Sequence, residues 1–172
     1  APRWLTEQPF LLDMGPRLGH LEALEWAATN NSFFRSMFFR DRPEIRFDPE
    51  LGVVGGEDMV FFRQARRAGL EIRFSAPSMV IGHESAERTT FRYQLRSRFW
   101  FGNTEFVTNA EMGEGNRLRW LARAARRLAV SLTRPLVRMA RRRTPQFRYS
   151  AASTARALGN VSGVLGFRIR HH

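Results

Sequence analysis

The feature that most constrains this chain is the segregation of its charge. All 28 basic residues are arginine, and they face 16 acids. Residues 1–116 hold 14 arginines and 16 acids, whereas residues 117–172 hold 14 arginines and no acid. The net charge of +12 therefore belongs to the C-terminal third, and a wholly basic, histone-like protein is excluded. Within that third, Leu118, Leu121, Ala125, Leu128, Leu132, Leu136 and Met139 recur every three or four residues. Ten arginines fall between Arg117 and Arg143, mostly on the other faces. Such a pattern predicts amphipathic helices, with a kink expected at Pro135.

With 43% hydrophobic residues in 172, the chain has enough apolar material for one modest domain. It has no cysteine, which removes disulfides, zinc–cysteine sites and thiol catalysis. Charged and polar residues interrupt every apolar run before it reaches the length of a spanning helix. The start of the chain carries acids and prolines rather than a signal-peptide pattern. His171 and His172 read as the remains of a tag.

Residues 1–20 read as a loop pinned by Trp4, Phe10 and Leu12, and 21–28 is ambiguous between helix and strand. Phe33, Phe34, Phe38 and Phe39 form a dense aromatic segment expected to cross a core. Residues 41–56 look loop-like, with turns at Pro43, Pro49 and Gly55-Gly56. From Glu57 the spacing of Met59, Phe61, Phe62 and Ala65 predicts a helix to Ala68, stopped by Gly69. Leu70–Phe74 alternates as a strand, and Met79–Ile81 is a second extended run. A longer helix is expected from Thr89 or Thr90 through Phe106, with Gly102-Asn103 either interrupting it or admitting a close neighbour. Residues 109–116 form a polar hinge, and 151–165 is helix-compatible but weakened by Gly159 and Gly163.

The chemistry-bearing positions each admit two readings. Glu57 and Asp58 can act as a proton acceptor or metal ligand at a cleft, or simply complement a helix N-terminus. His83 can ligate a metal or contact phosphate, or stand at the surface. Asn30 and Asn31 suit a hydroxyl-rich ligand but also form turns. Arg88, Arg96 and Arg98 can neutralise a diphosphate or face water. No zincin, EF-hand or phosphate-loop motif occurs.

The ordered segments Ala28–Phe38, Arg46–Phe74 and His83–Phe106 together resemble the family 2 glycosyltransferases, within the bacterial branch that includes succinoglycan and exopolysaccharide biosynthesis enzymes. The resemblance rests on the asparagine pair, then "fD..l...gGED", "ffr....aG..i" and "eR.t.......R...G". It implies an α/β fold: the C-terminal half of a GT-A nucleotide-diphospho-sugar transferase in residues 1–112, a hinge at 113–116, and basic amphipathic helices over 117–170. Asp58 would be the catalytic base of an inverting, non-processive sugar transfer, with Glu57 positioning it. Asn30, Asn31, Gly55 and Gly56 would line the acceptor site, and Arg88 and Arg98 the donor diphosphate. His83 would help hold Mg²⁺ or Mn²⁺. The Asp-x-Asp metal motif has no counterpart here, so the resemblance implies that a nucleotide-binding half or partner chain completes the site.

The implied partners are a nucleotide sugar and a glycan or polyprenyl-diphosphate-linked acceptor, with no nucleic acid and with self-association expected at the exposed edge. The Arg-rich helices are expected to bind an anionic membrane at the cytoplasmic face of the plasma membrane, with Trp120 as interface anchor. Against the enzyme stand two other classes: a non-catalytic interaction module, and a basic nucleic-acid binder using the +14 segment.

Overall fold

The computed structural model describes residues 3–6, 19–25, 27, 29–78, 80, 83 and 85–170. Phe10, Leu12, Met79, Ile81, His171 and His172, named above, lie outside them. The chain divides into two compact units, one from 15–82 with 170–172 and one from 1–14 with 83–169.

In the 15–82 unit, β1 (Ala23–Leu24) pairs antiparallel with β2 (Ile72–Arg73), Ala23 opposite Arg73. Three helices follow one another between the strands: α2 (Ser36–Asp41), α3 (Pro49–Val54) and α4 (Glu57–Arg67). The segment read as a loop over 41–56 thus contains α3. Its start is written locally, since Asp48 caps it by accepting from Glu50 N at 2.8 Å, and Pro49 occupies the first turn. α4 begins at Glu57 and ends where Gly69 takes a φ of 93°, as the periodicity predicts. Gly55 and Gly56 have φ of 83° and 97°, so the corner joining α3 to α4 needs two residues without Cβ. Phe61 and Phe62 centre the core, packed by Phe34, Phe38 and Phe39, whereas Phe33 is 89% exposed.

In the other unit the short α1 (Arg3–Thr6) accompanies three long helices: α5 (Phe91–Glu111), α6 (Arg117–Ala140) and α7 (Phe147–Val164). Thr90 caps α5, accepting from Tyr93 N, and Asn116 caps α6, accepting from Arg119 N. α1 places Leu5 on Ala152 and sets Trp4 edge-on to Phe91. Gly102 does not interrupt α5. A Cβ there would overlap the carbonyl oxygen of Arg156, and one at Gly159 would overlap that of Phe99, so these glycines let α5 and α7 meet backbone to backbone. Gly163 continues the contact against Phe106.

These observations correct the expected α/β class and the glycosyltransferase resemblance. A GT-A nucleotide-binding core is a several-stranded sheet covered by helices, and its strands carry the site. Among the described residues the only sheet is β1–β2, two residues per strand and unclosed. Everything else of regular structure is helical.

Candidate interaction surface

The interior of the long-helix unit is apolar around Phe106, Trp120 and Val164, and small and polar elsewhere. Asn103, Thr108, Ser131, Ala152, Gly159 and Asn160 are buried there. Asn103 donates through Nδ2 to Ser162 Oγ at 2.8 Å and to Phe167 O at 2.7 Å, and accepts from Ile169 N. Asn160 donates to Gly102 O at 2.7 Å and accepts from Arg127 Nη1 at 2.7 Å. Glu105 accepts from Asn160, Arg127 and Arg156 at 3.2–3.3 Å, so one carboxylate ties all three long helices together. Burial opposes ionisation of Glu105, yet the charges of Arg156 and Arg127 and the Asn160 hydrogen bond outweigh it and hold its pKa below the ordinary 4.5.

Because that pKa is depressed, the stabilisation is complete above the unfolded value near 4.5 and fades as pH falls toward the folded one. Glu105→Gln leaves two half-buried arginines without their counter-charge and is expected to cost about 2–3 kcal/mol near neutral pH. Thermal melts of both proteins across the acid range check this. The gap between them should narrow below pH 4.5.

The packing of α6 in this unit turns its amphipathicity outward. The face it buries carries Trp120, Ala124, Ser131 and Pro135, with Ser131 Oγ 2.8 Å from Thr154 Oγ1. The face it exposes carries Leu118, Leu121, Leu132, Leu136 and Met139, of which Leu132 and Leu136 are each 66% exposed and Leu118 is 79% exposed. At about 100° per residue, these five share an arc of about 100° with Ala122, Ala125 and Ala129. Arg119 and Arg126 run along one border of the stripe, and both are exposed. Leu128, counted in the stripe by its spacing, is half-buried at the other border.

Trp120 is not an interface anchor. It is buried edge-on against Phe106, with its Nε1 donating to Glu114 O and the Arg123 guanidinium 4.5 Å over its ring. Pro135 sits inside α6 on its buried face.

The residues that the resemblance singles out fall in both units. Glu57 and Asp58 stand in the first turn of α4, after Gly55 and Gly56. Asp58 Oδ1 accepts from Met59 N at 2.7 Å. Burial pushes the Asp58 pKa above 3.8, the Met59 N–H opposes this, and the Glu57 charge adds to the rise. Ionised Asp58 therefore costs stability near neutral pH, and the cost vanishes as pH falls toward 3.8. Asp58→Asn is expected to slow hydrogen exchange of the α4 amides at neutral pH, with the difference closing in acid.

Asn31 and Asn30 end a 3-10 turn; Asn31 Nδ2 donates to Ser78 O at 2.9 Å, and the side chain of Asn30 lies outside the described residues. His83, Arg88 and Arg98 belong to the other unit. His83 is exposed, Arg88 lies 5.9 Å over the Tyr93 ring, and Arg98 is half-buried on α5. Among the described residues no group of three or more histidines or acids gathers to hold a metal.

No protein-family model, curated protein or solved structure matches this chain. The fold contradicts the expected enzyme, a metal-dependent GT-A glycosyltransferase. That enzyme needed the sheet core that would place Asp58 opposite a nucleotide sugar, and the described residues form a helical protein with a two-stranded ribbon.

Proposed function

We propose that this chain is a non-catalytic helical interaction module that docks on an anionic membrane surface through α6. The observation that carries this reading is the orientation of that helix. A helix in a water-soluble bundle turns its leucines inward. Here Trp120, Ala124, Ser131 and Pro135 serve the packing, and the leucine stripe faces out beside arginines.

Charge supports lipid as the occupant. Residues 117–172 carry 14 arginines and no acid, a composition drawn to phosphate headgroups such as those of the cytoplasmic leaflet. No helix among the described residues is long and apolar enough to cross a membrane, so the binding proposed is in the plane of the interface. Co-sedimentation with vesicles tests it. Binding to phosphatidylglycerol-containing vesicles, weakened but not abolished by salt, is expected. Equal binding to pure phosphatidylcholine, or none to either, would contradict it.

A further inference from the structure

We propose that the 15–82 unit binds a second ligand of a different kind: an extended apolar peptide, flanked by an acidic residue, that adds as a third strand to the edge of β2 that no described strand covers.

A groove of about 660 Å³ opens beside β2. Side chains along a strand alternate between its two faces, so a cavity lying on one face meets every second residue. This groove is bordered by every residue from Leu70 through Ser75 and also by Leu24 and Ala27, so it spans a face of the ribbon and reaches the edge of β2. The ladder gives the same direction. Phe74 N donates to Glu22 O at 2.9 Å and Phe74 O accepts from Leu21 N at 2.7 Å, while Arg73 stands opposite Ala23. In an antiparallel pair the bonding direction alternates, so the N–H and C=O of Arg73 and Glu71 point away from β1.

An edge of this kind recognises backbone, and backbone of an extended segment alone can match it. Phe34, Phe38 and Phe62 line the same groove, a site for one apolar side chain of the added strand. On its wall Phe33 and Met37 are 89% and 57% exposed, apolar surface that an occupant would cover. At the rim Arg73 is paired with Glu71, leaving Arg35 to favour an acid beside the apolar run.

The test uses the full chain and a fluorescent, end-blocked peptide of alternating valine and threonine that begins with glutamate. Saturable binding is expected by anisotropy, with slowed exchange of the Glu71 and Arg73 amides. N-methylating the peptide amides on one edge should weaken binding about tenfold or more, and on the other edge should not. Phe33→Asp, at an exposed position, should weaken binding while leaving the thermal melt unchanged. Absence of binding, equal affinity for both methylated peptides, or self-association of the chain that shuts the peptide out would each overturn the proposal.

Discussion

Replacing Gly159 with valine is expected to destroy the packing of α7 on α5. A Cβ at this position would overlap the carbonyl oxygen of Phe99 and lie 2.9 Å from Asn103 N. Both are backbone atoms of a helix, so no side-chain rotation relieves the clash. The helices must separate, and separation breaks more than van der Waals contact. The Asn160–Gly102 hydrogen bond and the Glu105 bonds to Asn160, Arg127 and Arg156 all depend on this approach. Overpacking alone costs about 1–3 kcal/mol, and losing the partly buried Glu105 pairs adds about 2–3 kcal/mol. The sum is comparable to the stability of a small domain. Circular dichroism and amide exchange should show α5 and α7 unprotected. Leu158→Ala, one residue away but exposed, should stay within about 0.5 kcal/mol of the parent.

Glutamine at both Leu132 and Leu136 is expected to remove membrane binding while leaving the fold intact. Both leucines are exposed, and glutamine has a helix propensity close to that of leucine, so the melt should not move. Each leucine entering the acyl boundary contributes about 1.5 kcal/mol or more. Losing two lowers the partition constant roughly 100-fold. Arg119→Gln with Arg126→Gln separates the electrostatic part. That pair should lower affinity for anionic vesicles by about 1 kcal/mol per arginine. A leucine variant that binds vesicles as the parent does would show that another surface makes the contact.

Local elements of this fold were legible because their signals are local. Glu57–Arg67 carries its apolar stripe, its acids in the first turn and Gly69 just beyond its end, all within 13 residues. The cap at Thr90 and the continuous period of α6 read equally well. α3 was legible too, since Asp48-Pro49-Glu50 is a cap, a first-turn proline and a first-turn acid, but the turn-forming Pro and Gly around it outweighed that signal.

What local pattern does not contain is which surfaces meet. Gly159 and Gly163 weaken an isolated helix, and only the approach of Phe99 and Phe106 shows why they are there. β1 and β2 lie far apart in the chain, and no periodicity reveals that each pairs with the other in so short a ribbon. Motif order misled for the same reason. It reproduces a succession of residues along a line, whereas a sheet core is a set of pairings between distant strands.

The candidate surface was half legible. The leucine spacing on α6 is plain, but a helix with an apolar face buries it by default. The outward orientation is decided by Glu105, Arg127, Asn160 and the Ser131–Thr154 contact, which hold the opposite face against the neighbouring helices. The same contacts turn Trp120, an expected interface anchor, into the interior.

The absence of cysteine makes the orientation of α6 directly measurable, since each introduced thiol is unique. An environment-sensitive probe placed in turn at exposed positions between Leu118 and Met139, with anionic vesicles added, reports which side enters lipid. The account predicts a signal that rises and falls about every 3.6 residues, high at Leu118, Ala125, Leu132 and Leu136 and water-like at Arg119, Arg123 and Arg126. A water-like signal at every position, while the protein sediments with the vesicles, would contradict it.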